Sequence, residues 1–329
     1  MKTLVTGATG FIGTHLVQAL VKEGREVRCL TRNSDKKSLL ENNGVEVVYG
    51  NLLDKDSLKS AVNGVKIIYH LAGEVYTDNV ETYYKTNING TRNLIETCIN
   101  NSIEKFIFFS SIAATGPCLN NEQMSEETCC MPISPYGKSK LECEKLISCF
   151  SEQNKLTSVI IRPPVVYGPG INESSRALKL IQTIKQGKII IPGNGNHRIS
   201  LCYITNLIQG TLLAEKKARE IGGKYILSDH SPYTYNYIVD TIAAELGIAV
   251  SKFHVPQRLV QSSLEGLQYM RSVLRLPDSI SIARLQETIQ SWNCDISKAK
   301  RDLGYNPSVE LHEGFKLTLG WCREKKLIN

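Results

Sequence analysis

The chain has 329 residues, 42% of them hydrophobic, with 24 glycines, 11 prolines and a formal net charge of +7. That is enough apolar sequence for one large or two unequal cores, and glycine, proline and charge are too ordinary for a disordered or fibrous chain. No run approaches the ~20 apolar residues that span a bilayer, and Met1-Lys2-Thr3-Leu4-Val5 leads straight into a glycine turn with no room for a signal peptide. A soluble, intracellular, cytoplasmic protein with no membrane partner is therefore expected.

The first half alternates short apolar runs with amphipathic segments, the pattern of a parallel sheet flanked by helices. Strands are expected at Lys2–Thr6, Glu26–Leu30, Val45–Tyr49, Lys66–His70, Lys105–Ser110 and Thr157–Arg162. Helices are expected at Phe11–Lys22, Val80–Asn100 and Ser134–Ser151. Such near-continuous apolar strands suit a sheet covered on both faces. Beyond residue 165 the alternation becomes irregular. A helix near Ser174–Gln186 precedes short strands at Lys188–Ile191 and Ile199–Leu201, then a helix from Ile204 and a strand at Lys224–Leu227. Tyr235–Arg301 reads as mostly helical, broken at Pro256 and Pro277. Its Leu259, Leu264, Leu267, Met270, Val273 and Leu274 recur at helical spacing, which favours core over a lid or a dimer face. The fold class is thus α/β, a Rossmann-type doubly wound parallel sheet over residues 1–165. A smaller, mostly helical substrate-binding portion covers 166–329, its boundary blurred by a return of the chain to the sheet.

The basic balance comes without a compact Lys/Arg block interleaved with aromatics, which favours a basic cleft for an anionic cofactor and substrate over nucleic acid. Ten cysteines include no Cys-x-x-Cys pair, and Cys29, Cys98 and Cys202 fall on apolar elements. They read as structural thiols, with no metal site expected.

The first strand runs into Thr6-Gly7-Ala8-Thr9-Gly10-Phe11-Ile12-Gly13 and then a helix. The first glycine permits the turn, the second lets backbone approach a pyrophosphate, and the third lets helix pack on strand. Unpaired N–H groups at the helix start then bind phosphate. The second strand ends Leu30-Thr31-Arg32-Asn33-Ser34, with no acid to hold a ribose 2′-hydroxyl. Arg32, helped by Thr31 or Ser34, suits a 2′-phosphate, which favours NADP over NAD.

Of the 14 tyrosines, only Tyr136 has a lysine four residues on, Lys140. On a helix the two share a face. A free phenol, with a pKa of ~10, is a poor base at neutral pH, and a nearby ammonium together with the nicotinamide's charge favours the phenolate. The fifth strand ends Phe109-Ser110-Ser111, and strand C-termini are where ligands collect in open parallel sheets.

Taken together, Gly7-x-x-Gly10-x-x-Gly13 and Tyr136-x-x-x-Lys140 resemble the extended short-chain dehydrogenase/reductase family, which includes the NAD-dependent epimerases and dehydratases. Further segments resemble that family in order: Gly50-Asn51-Leu52, His70-Leu71-Ala72-Gly73, Asn87-Ile-Asn-Gly90-Thr91, Arg162-Pro163-Pro-Val165-Val166-Tyr-Gly-Pro-Gly170 and Asp295–Pro307. The resemblance implies an enzyme in which Ser111, Tyr136, Lys140 and Asn87 are catalytic. It puts Gly7, Thr9, Gly10, Phe11, Ile12, Gly13, Arg32, Asn51, Leu52, Leu71, Ala72, Gly73, Pro163, Val165 and Val166 around the dinucleotide, along with Tyr136 and Lys140. Ser111 and Val165 would touch substrate, as would His197 and Arg198, which resemble the loop whose Arg binds a diphosphate. It also implies a homodimer through Val80–Asn100 and Ser134–Ser151.

Three functions follow from the resemblance. One is a nucleotide-sugar epimerase. The second is an NADPH-dependent ketone or alcohol reductase similar to dihydroflavonol reductases and hydroxysteroid dehydrogenases, toward which Arg32 and Val165 (where sugar-nucleotide epimerases carry Asn) lean. The third is a non-catalytic dinucleotide sensor, against which the intact Tyr136/Lys140 pair stands. Ile112-Ala113-Ala114-Thr115 lacks the acids a dehydratase places after its serine.

Overall fold

A computed structural model describes residues 1–32, 44–77, 79–99, 101–118, 122–154, 156–218, 222–273 and 280–328. Asn33, Ser34, Asn100, Leu274 and Pro277 lie outside the described residues. The strands in chain order are β1 (Lys2–Thr6), β2 (Glu26–Thr31), β3 (Glu46–Tyr49), β4 (Ile67–His70), β5 (Lys105–Phe109), β6 (Thr157–Arg162), β7 (Val165–Tyr167), β8 (Lys188–Pro192), β9 (Arg198–Ile199), β10 (Leu201–Tyr203), β11 (Gly223–Ile226), β12 (Tyr233–Thr234) and β13 (Ser251–Val255). Seven of them form one sheet in the order β11-β6-β5-β4-β1-β2-β3, every neighbouring pair parallel. The order reverses between β1 and β4, the place where open α/β sheets bind ligands.

The sheet is buried on both faces because its strands are apolar at both parities. Val5, Ile107, Phe109, Val159 and Ile161 pack into the larger core. Their alternates Leu4, Phe106, Phe108 and Ile160 pack into the second. Helix Phe11–Lys22 covers the first face through Leu16, Val17 and Leu20, and Lys55–Val62 covers the second through Leu58, Ala61 and Val62. Sequence reading omits that second helix and the closing one at Leu311–Glu324.

Four other expectations change. The helix expected over Val80–Asn100 is α-helical at Val80–Thr82 and Gly90–Cys98, with a π-helical stretch, Tyr83–Asn89, between them; such wide turns gather at functional sites. The strand expected at Ile199–Leu201 is two strands parted at Ser200: β9 pairs antiparallel with β12, while β10 runs parallel to β7. The stretch from Tyr235 contains β13, which pairs with β8 and so escapes a helical period. Of Leu259, Leu264, Leu267 and Met270, only Leu264 is buried, against Ile282 and Ile289; the helical spacing there serves a small satellite core, not the main one. Six of the ten cysteines, Cys29, Cys98 and Cys202 among them, are buried.

Two close contacts hold this frame. A Cβ on Gly13 would overlap the Gly7 carbonyl oxygen and stand 2.9 Å from Ala8 Cα, so the helix lies on the turn with no space for a side chain. Asp229 ties the second half together: Oδ1 accepts from Tyr203 N (2.9 Å) and Asn206 Nδ2 (2.8 Å), while Tyr167 donates to Oδ2 at 3.3 Å. Asn206 in turn accepts from Ser308 N and Val309 N, both at 3.1 Å, which fastens the C-terminal segment.

Gly13→Ala is expected to lower stability to urea toward the upper end of the about 1–3 kcal/mol typical of overpacking; an unchanged midpoint would mean that the turn yields freely. Burial pushes the Asp229 carboxyl up from 3.8 to about 6. The folded protein therefore holds a proton that the unfolded chain has lost, and the stability this gives is present below about pH 4 and gone once pH passes about 6. Over that window stability should fall by up to about 3 kcal/mol, and Asp229→Asn should flatten the fall in urea midpoints measured from pH 4 to 7.

Candidate active site

A cavity of about 1460 Å³ lies along the C-terminal edge of the sheet, and every residue assigned above to the dinucleotide lines it. Gly7 is left-handed, φ +71°, and a side chain there would come 2.7 Å from Ala72 N and 2.9 Å from Leu71 C. Helix Phe11–Lys22 begins at Gly10 with no side-chain cap, which leaves its first N–H groups available to an anion. The cradle fits a pyrophosphate: the uncapped helix start opens on the cavity, and the bare Gly7 lets the Leu71–Ala72 backbone close against the turn. At its far end Arg32, its side chain 66% exposed, sits 3.5 Å from the Glu74 carboxylate. Asn51, exposed, folds back on its own loop, its Oδ1 accepting from Leu53 N at 3.1 Å.

A buried polar chain fixes the loop after β4. Thr6 Oγ1 meets His70 Nδ1 at 2.8 Å and accepts from Ala72 N at 3.2 Å, while His70 Nε2 meets Thr91 Oγ1 at 2.9 Å. Burial, with the Lys140 charge behind it, pushes His70 down to about 3, so it is neutral at physiological pH. It serves here as a strut. Sequence reading passes over it because its partners are 64 and 21 residues away.

Tyr136 and Lys140 stand on helix Pro135–Asn154, facing Ser111 at the end of β5. Lys140 Nζ donates to Phe109 O at 2.7 Å and lies 4.8 Å from the Phe108 ring centre. Burial lowers the Lys140 pKa, and burial likewise raises that of Tyr136, assisted by Tyr76 and opposed by a hydrogen bond from Ser111. The protein alone thus favours the phenol. Lys140 Nζ, which donates to Phe109 O, stands 6.0 Å from the Tyr136 ring centre. Ser111 Oγ also accepts from Ala113 N at 3.1 Å. Asn87 does not line the cavity. From the π-helical stretch its Oδ1 accepts from Glu74 N at 2.7 Å, and its Nδ2 donates to Glu74 O and to Ser139 Oγ, both at 3.1 Å. It locks the cavity loop to the helix that bears Tyr136.

Beneath Ser111 lies a buried ion pair. Arg162, fully buried at the end of β6, donates to Glu144 through Nε (2.9 Å) and Nη2 (2.5 Å), and to Thr115 Oγ1 at 3.1 Å. Ser110 donates to the same carboxylate. The signal for this was in the sequence: Tyr136, Lys140 and Glu144 repeat every four residues, one face of one helix.

On the substrate side Val165 lines the cavity beside Leu180, Ile238, Phe253, Leu285 and Trp292. His197 and Arg198 do not line it. His197 stacks on Tyr235 at 5.1 Å and faces a separate cavity of about 350 Å³; Arg198 belongs to β9 and is exposed. Arg176, Lys179 and Lys188 line the large cavity instead, and Arg176 pairs with Glu287 across it. Among the described residues no helix is long and apolar enough to cross a membrane.

The chain is 29% identical to an uncharacterized UDP-glucose epimerase of Bacillus subtilis, over 95% of this chain and 95% of that one. It is 28% identical to the decarboxylating sterol-4-alpha-carboxylate 3-dehydrogenase of Bos taurus, over 96% of this chain and 90% of the relative. Among solved structures, the UDP-glucuronic acid 4-epimerase from Bacillus cereus in complex with UDP-glucuronic acid and NAD superposes with a TM-score of 0.80 at 26% identity, covering 99% and 100% of the two chains. Residues 3–227 match the model of the NAD dependent epimerase/dehydratase family. The chain belongs to that family and is an NAD(P)-dependent enzyme of the epimerase and oxidoreductase type.

Proposed function

We propose that the protein is a nucleotide-sugar epimerase, inverting a hydroxyl-bearing carbon by oxidation and re-reduction. The observation that carries this reading is the convergence of Ser111, Tyr136 and Lys140 on the same cavity as the glycine turn. At about 1460 Å³ that cavity exceeds the roughly 300–1,000 Å³ of a single small-ligand site, so it has room for a dinucleotide and a second large ligand. The names of the relatives, a UDP-glucose epimerase and a structure with UDP-glucuronic acid, support the substrate class.

In this reading Ser111 donates a hydrogen bond to the reacting oxygen, and Tyr136 Oη takes the hydroxyl proton in the oxidising half and returns it in the reducing half. The dinucleotide, when bound, supplies the hydride-accepting carbon and a positive charge beside Tyr136. Lys140, anchored on Phe109 O, holds its charge within the same buried space. Asn87 acts through the loop at Glu74 as a positioning residue. A second reading, oxidation or reduction of an apolar alcohol or ketone, is favoured by the wall of Leu180, Ile190, Phe253, Leu285 and Trp292 and by the sterol dehydrogenase relative. The preference for NADP rests on Arg32, which must leave Glu74 to meet a 2′-phosphate.

Tyr136→Phe should lower turnover of UDP-glucose by about 10²–10⁴-fold and leave dinucleotide affinity within about twofold; unchanged turnover would remove Tyr136 from the chemistry. With the intact protein, formation of the 4-epimer without accumulation of reduced dinucleotide marks an epimerase, and net reduction marks a dehydrogenase. Arg32→Gln should weaken NADP by about tenfold or more with NAD unaffected. Equal effects on both nucleotides, measured by calorimetry, would show that Arg32 does not read the phosphate.

A further inference from the structure

Glu287 is 5% exposed and stands in the wall of the large cavity. One of its carboxylate oxygens pairs with Arg176, which opens a ten-residue helix capped by Ser175. The other, Oε1, is buried with no hydrogen-bond partner. The segment around it is not free to turn that oxygen elsewhere: Trp292 Nε1 donates to the Glu287 carbonyl at 2.7 Å, and Gln257 Nε2 donates to Ile289 O at 3.1 Å. Of the neighbouring lining residues, Leu285 is apolar and the indole N–H of Trp292 is already given to the Glu287 carbonyl. Buried acceptors are almost always satisfied in folded proteins, and an exception calls for an explanation.

We propose that Glu287 is a specificity-determining residue whose free Oε1 accepts a hydrogen bond from a second hydroxyl or amino group of the substrate. Glu287 and Tyr136 line the same cavity, and the carboxylate adds to the upward push on that phenol. Arg176 holds the carboxylate in orientation, and the apolar surround strengthens its bond to a donor. A hydroxylated ring satisfies Oε1, whereas a ring bearing only the reacting oxygen leaves it bare. The inference rests on the nucleotide-sugar reading and sharpens it, because a sugar carries a hydroxyl beside the reacting one.

The test uses the full chain loaded with NAD and titrates UDP-glucose and UDP separately into wild type, Glu287→Leu and Glu287→Gln. Leucine should weaken UDP-glucose by about tenfold or more and leave UDP, which has no sugar, bound equally or more tightly, since Arg176 is released. Glutamine keeps the shape, but its oxygen must face Arg176 and its amide nitrogen the sugar; the same selective loss is expected, and this variant carries the test if the leucine variant does not fold. Unchanged UDP-glucose affinity, or equal losses for UDP and UDP-glucose, would overturn the role of Glu287. Failure of wild type to bind UDP would instead overturn the nucleotide-sugar reading. Glu287 is then judged by NAD reduction with trans-cyclohexane-1,2-diol and cyclohexanol: a preference for the diol that Glu287→Gln abolishes supports it, and an unaltered preference or none in wild type overturns it.

Discussion

The ion pair between Arg162 and Glu144 is the contact on which the site is built. Both side chains are out of water, at 0% and 1% exposure. Desolvating two ions costs several kcal/mol each and is offset only by close, multiply hydrogen-bonded geometry. Here the guanidinium engages both carboxylate oxygens and donates also to Thr115 and to the Cys130 sulfur, while Ser110 donates to the carboxylate. Because Arg162 ends β6 and Glu144 follows Lys140 by one helical turn, the pair fixes the rotation of the helix relative to the sheet. Ser110 N bonds Ile161 O at 2.8 Å and Ile112 N bonds Pro163 O at 3.1 Å, so the turn holding Ser111 is tied to the same strand. Losing one partner would strand a charge in the core and loosen the turn that holds Ser111 at the same moment.

Around that pair the reacting groups line the large cavity, and the polar struts behind them are neutral or paired. A protonated His70 would oppose Lys140, yet burial keeps it neutral, so Lys140 is the cation of that layer. Asn87 satisfies the cavity loop through both its donor and its acceptor. Such networks hold catalytic groups to a narrow geometry when every member is satisfied.

Much of the fold and half of the site were legible in the sequence, for a physical reason. The glycine turn and the Tyr136–Lys140 pair are short-range devices, set by φ angles and by helical pitch, and position along the chain is nearly position in space. Five of the six strands of the first half announce themselves because they are buried on both faces; β3, at the sheet edge, is not. What escaped depends on distant partners. β13 has Phe253 and His254, consecutive residues, both exposed, and takes its strand character from β8. The break at Ser200, which takes its N–H to Trp292 O and its hydroxyl to Cys294 N, turns Arg198 away from the cavity that its loop had implied. Arg176 and Glu287 lie 111 residues apart, and no spacing joins them.

One more consequence comes from the outermost strand. β11 belongs to the second half of the chain yet pairs with the last four residues of β6, from Gly223↔Val159 to Ile226↔Arg162. During synthesis, the edge of β6 stays unpaired until the segment between has emerged. An apolar open edge of this kind is a template for pairing with other chains, and non-local closure is slow. The nascent protein therefore passes through a vulnerable interval that no feature of the finished enzyme shows, and its first half by itself would be a poor folding unit.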